Sequence, residues 1–70
     1  MRKLLYKVMF CCDFATLHEL DNDRYEVEIK LENFYSHKVY DSYNHACYKF
    51  DWERREFQAE YGDKVKCFNC

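Results

Sequence analysis

Proline is absent from this chain of 70 residues and glycine occurs once, at Gly62. Turns must therefore come from Asp and Asn, and two stretches qualify: Asp21-Asn22-Asp23 and Tyr61-Gly62-Asp63. A single glycine also excludes a glycine-rich phosphate-binding loop. No apolar run approaches the roughly 20 residues of a membrane span. The opening, Met1 to Tyr6, has the charge and leucines of an export signal. Lys7 interrupts it and Asp13 follows without a small-residue cleavage site, so no signal peptide is expected. Repeats, low-complexity tracts and linkers are missing as well.

An excess of one charge is also lacking. Lys and Arg number 11 against 13 Asp and Glu, a net charge of −2, and the two signs are interleaved. A nucleic-acid binder of this size normally shows a basic stripe, so direct nucleic-acid contact is not expected. A small-molecule substrate needs a concave pocket of several hundred Å3, which a one-helix domain hardly encloses. Five cysteines, an odd number, without an export signal place the chain in a reducing cytoplasm.

What the chain does have is aromatic density: 7 Tyr, 6 Phe and 1 Trp, 20% of all residues. With so little net charge, that composition folds rather than staying disordered. Residues 1–70 make a single domain, and one this small buries only about 60% of its unfolded surface. Dense packing or a partner has to supply the rest of its stability.

Residues 4–14 alternate, with Leu4, Tyr6, Val8, Phe10, Cys12 and Phe14 on one face. That period predicts a central strand, since its second face is also partly apolar. Residues 15–23 read as a connection. Over 24–32, Tyr25, Val27, Ile29 and Leu31 oppose Arg24, Glu26, Glu28, Lys30 and Glu32, a half-buried strand. From about residue 39 the period becomes helical. At 100° per residue, Val39, Tyr43, Ala46, Phe50, Phe57 and Tyr61 share one stripe, flanked by Cys47 and Arg54. The helix should run over 41–61, capped by Asp41 or Ser42 and closed by Gly62. A short strand over 63–70 puts Val65 and Cys67 on one face. The expected fold is therefore α+β, in the order β-β-α-β. A three-stranded sheet of spatial order 2-1-3 carries one helix on one face, with the last strand antiparallel to the first.

Three constellations compete for function. Cys67-Phe68-Asn69-Cys70 is a CxxC that Cys11, Cys12, Cys47, His18, His37 or His45 would have to complete as a zinc or thiol module. A structural zinc site wants two such knuckles, and only one exists. Cys12, Cys47 and Cys67 read better as small core residues, so no metal or other cofactor is expected. For catalysis, His45 and Cys47 are two apart on a helix and point in different directions. The histidines and carboxylates are scattered, and no enzyme is expected. The third constellation lies opposite the core stripe, where Tyr48 and Trp52 stand four apart, bordered by His45, Arg55 and Glu56. Exposed Tyr and Trp beside Arg have the composition of a protein-interface hot spot. The outer face of the second strand, with Glu26, Glu28, Lys30 and Glu32, guards a sheet edge or meets a basic partner. A nucleic-acid binder using Lys64, Lys66 and the aromatics is a further alternative, one with steep salt dependence.

The order of residues resembles a known family. Lys7-Val8-Met9-Phe10 leads a first strand, and a charged second strand follows. Tyr43-Asn44-His45-Ala46-Cys47-Tyr48-Lys49-Phe50 enters the helix, and a lysine–cysteine strand from Asp63 to Cys70 closes the chain. This resembles the small Dmd antitoxins of T4-like bacteriophages over most of its length, though the chain is longer between the first two strands and inside the helix. The resemblance implies a protein inhibitor that neutralises a host RNase toxin of a bacterial toxin–antitoxin pair in the infected cytoplasm. Phage inhibitors of RNA polymerase or of CRISPR effectors share this size and strand order and remain alternatives.

Overall fold

The computed structural model describes residues 2–21 and 23–68. Along the chain come β1 (Lys3–Phe10), β2 (Asp13–Glu19), β3 (Tyr25–Leu31), β4 (Phe34–Tyr40), the helix α1 (Tyr43–Tyr61), a 3-10 turn (Gly62–Lys64) and β5 (Lys66–Phe68). All five strands join one sheet in the order β4-β3-β2-β1-β5, every neighbouring pair antiparallel.

This corrects the expected three-stranded sheet of order 2-1-3. The predicted strand over 4–14 is two strands, folded back at Cys11-Cys12 so that Phe10 faces Asp13 and Val8 faces Ala15. A two-residue turn pairs even positions with odd ones. The inward set therefore switches from Tyr6, Val8 and Phe10 to Ala15 and Leu17, and Phe14 points to the opposite face from Phe10. Residues 15–23, expected as a connection, instead supply most of β2, the middle strand. A second tight turn at Glu32-Asn33 adds β4, which was not expected at all. With two more strands present, β3 pairs with β2 and β4 and is interior, not an edge. The last strand lies beside β1 and antiparallel to it, as expected, with Cys67 opposite Val8.

The helix matches its prediction closely. Ser42 is the N-cap, its hydroxyl accepting from the His45 N–H at 3.4 Å. Gly62 ends the helix at φ 63°, ψ −134°, a backbone region essentially reserved for glycine, and its N–H reaches the Gln58 carbonyl. Of the predicted stripe, Ala46, Phe50 and Phe57 are buried and Tyr61 is half-buried. Tyr43 lies at the rim, and Val39 belongs to β4, where it is exposed.

One core results, between the helix and one face of the sheet. Val8, Ala15, Leu17, Val27 and Ile29 meet Ala46, Phe50 and Phe57 there. Fully burying each large side chain is worth about 1.5–3 kcal/mol. A register irregularity between Leu4 and Tyr6 tucks Leu5 against this core and sets Leu4 opposite His18. The expected core cysteines divide: Cys47 is half-buried against the core, while Cys12 and Cys67 are exposed. No helix of the described residues is long and apolar enough to cross a membrane. Among the described residues no helix covers the opposite face of the sheet.

Candidate functional site

The predicted helix patch is open to solvent. Tyr48 is 77% exposed and Trp52 50%, one turn apart on the face away from Phe50. Their separation follows from the 3.6-residue period, which places i and i+4 side by side. Lys49 sits with its ammonium 5.0 Å from the centre of the Trp52 indole and 3.2 Å from Glu53. Among the predicted border residues, Arg55 turns aside to Asp51 at 3.0 Å, and His45 is exposed at the helix start. Glu56 does join Trp52. Together with Leu31, Glu53, Phe57, Glu60 and Tyr61 they line a shallow groove of about 290 Å3 between the helix and the end of β3. Three of those residues are glutamates. Burial, and then the neighbouring charges of Asp13, Glu60 and Glu32, raise the Tyr61 pKa above its ordinary 10.0, a sign of negative potential at this end.

On the other flank of the helix lies a larger open groove of about 590 Å3. It is lined by Tyr6, Cys47, Phe50, Asp51, Arg54, Gln58 and Cys67. A one-helix domain thus does form a concavity of several hundred Å3. Its charged groups are already engaged, because Arg54 donates to Asp51 and to Gln58 and holds the Asp51 carboxyl below its ordinary range. At its upper end the Tyr6 and Tyr43 hydroxyls meet at 3.2 Å, which pushes the Tyr43 pKa up.

The open face of the sheet is a surface that the sequence did not disclose. Arg2 lies across it, its guanidinium donating to Glu26 at 2.8 Å and to Glu28 at 3.0 Å. Glu28 also accepts from the Tyr35 hydroxyl at 2.5 Å, and Glu26 lies 3.3 Å from His37. The hydrogen bond from Tyr35, and secondarily Arg2, lowers the Glu28 pKa. The outer carboxylates Glu26 and Glu28 of β3, read from sequence as guarding a sheet edge or meeting a basic partner, are held in a cross-strand network spanning β3, β4 and Arg2. Next to it on β2, Thr16 is 5% exposed with its hydroxyl unpartnered, and His18 has an unpartnered Nδ1. These residues come together only because β2 and β4 flank β3. The one sequence signal was the period-two alternation of β3, which named Glu26 and Glu28 but not their partners.

Among the described residues no three His, Cys, Asp or Glu side chains converge as a metal site, and Cys70 of the predicted CxxC lies outside them. The four described cysteines are free thiols, with Cys11 and Cys12 exposed at the first turn. No protein-family model matches the chain, and no curated protein or solved structure is detectably similar to it.

Proposed function

We propose that this chain is a binding protein rather than an enzyme, and that it neutralises a larger protein by covering its working surface with the outer face of α1. The carrying observation is the pairing of Trp52, half exposed, with a groove rimmed by Glu53, Glu56 and Glu60. An aromatic anchor beside like charges suits a partner surface that is apolar at its centre and basic around it. An RNA-cleaving enzyme presents such a surface, because its substrate groove must attract phosphates. The resemblance to the Dmd antitoxins supports the same partner class, the RNase toxin of a bacterial toxin–antitoxin pair. Occlusion then works by competition, with the acidic helix face occupying the groove that RNA needs.

Titration calorimetry against purified RNase toxins, paired with an RNA-cleavage assay, tests this reading. Wild-type protein should bind one toxin and block cleavage. Trp52→Ala should weaken that affinity at least tenfold, about 1.4 kcal/mol, with an unchanged circular dichroism spectrum. Equal affinity in the two forms would take the helix face out of the argument.

A further inference from the structure

The chain carries a net charge of −2, which speaks against nucleic acid, but the fold distributes that charge unevenly. On the open face of the sheet stand four cations, Arg2, Lys7, Lys30 and Lys66, against two carboxylates, Glu26 and Glu28. Both carboxylates are already bound by Arg2. The face is therefore positive while the rest of the molecule carries the acidic excess.

Aromatic rings share this face. Pairing across the strands sets Lys66 opposite Met9, Met9 opposite Phe14, Phe14 opposite Lys30, and Lys30 opposite Tyr35. In the next row Phe68 stands opposite Lys7. Lys7 and Lys30 thus each have an aromatic neighbour directly across, Lys66 shares its strand face with Phe68, and the Lys7 ammonium lies 5.4 Å from the centre of the Phe14 ring. Tyr35 is 56% exposed, and its hydrogen bond to Glu28 holds its orientation. Phe14 and Tyr35 are two strands apart, about 10 Å, a spacing that suits splayed bases rather than a continuous stack.

We propose that this open sheet face binds single-stranded nucleic acid, with bases stacking on Phe14, Tyr35 and Phe68 and phosphates meeting Lys7, Lys30 and Lys66. Every base has a π-face, so such a platform binds without strong sequence preference. A duplex keeps its bases stacked inside and offers nothing to the rings, so single strands are favoured. A second protein would find lysines standing among the rings at the centre of the patch, where interfaces are depleted of that residue. This face is separate from the helix patch, so its failure and that of the inhibitor reading are distinguishable.

Fluorescence anisotropy with a labelled oligouridylate of about twelve nucleotides, and with a matched duplex, decides the matter. The single strand should bind better than the duplex. Three phosphate contacts should weaken it about twentyfold between about 50 and 200 mM salt. Tyr35→Ala should lose about tenfold, in the range of one stacked base. Lys30→Glu, at an exposed position, should lose at least as much and keep its circular dichroism spectrum, and Trp52→Ala should bind as wild type. No anisotropy change at low salt, equal binding of the duplex, or wild-type affinity in both Tyr35→Ala and Lys30→Glu would overturn the proposal.

Discussion

Phe10 lies flat on Tyr61, ring centroids 4.1 Å apart and planes within 12° of each other. One ring ends β1 and the other ends α1, so this stack, with the Tyr61 hydroxyl donating to Asp13 at 3.4 Å, ties the first hairpin to the helix C-terminus. Phe57 meets Tyr61 edge-on at 5.9 Å and completes the cluster. Both stacked residues are half-buried. Tyr61→Ala should therefore cost about 2–3 kcal/mol, somewhat less than a fully buried aromatic. Phe50→Ala, at the centre of the core with 5% exposure, should cost about 3–5 kcal/mol. Urea unfolding of the two variants checks the order. A smaller loss for Phe50→Ala than for Tyr61→Ala would place the centre of the core elsewhere.

Two turn positions should respond in opposite directions. Cys11 has φ 55° at the first residue of a two-residue hairpin turn, where glycine is favoured. A non-glycine residue pays about 1–2 kcal/mol in the left-handed region, and glycine returns part of that as unfolded-state entropy. Cys11→Gly should stabilise by roughly 0.5–1 kcal/mol. At Gly62, by contrast, nothing lies within 4 Å of an added Cβ, so the cost of Gly62→Ala is backbone strain alone, about 1–3 kcal/mol. Thermal melts of both variants read the two signs directly, and a stabilised Gly62→Ala would contradict the helix ending described above.

The pH dependence of stability has two separate windows. Burial, and secondarily Arg2, lowers the His18 pKa from its ordinary 6.5. The folded state prefers the neutral imidazole, so the unfolded chain binds more protons between the folded value and 6.5. Linkage makes stability rise with pH across that window. The contribution is complete above about pH 6.5 and is lost as pH falls toward the folded value. Glu28 acts lower down. Its pKa is below the ordinary 4.5, so its contribution is present above about pH 4.5 and lost as pH falls through the folded value. Urea midpoints at about pH 7.5 and about pH 5.5 compare stability above and below the ordinary histidine value. His18→Gln should shrink that difference and leave the acid step intact, and an unchanged difference would rule out His18 as its source.

Local signals and local partners account for what was readable in the chain. The helix is set by Ser42, by Gly62 and by a stripe through Ala46, Phe50 and Phe57, all within a few turns of one another. Its outward patch, Tyr48 and Trp52, follows from the same period. β3 is legible because one of its faces is buried and the other wet. β2 is not, since Ala15, Thr16 and Leu17 are all buried and leave no polar contrast. β4 is equally silent for the opposite reason, an edge strand where Phe34, Tyr35 and Val39 are exposed beside Lys38.

The amino-acid order by itself determined one helix with its caps, its buried and exposed sides, and a last strand beside the first. Only the tertiary structure decided that the sheet has five strands, that Arg2 joins Glu26 to Glu28, and that lysines and aromatic rings share one face. The reason is the pairing parity of two-residue turns. The hairpin at Cys11-Cys12 exchanges which alternate residues point inward, and no periodicity along the chain records that exchange.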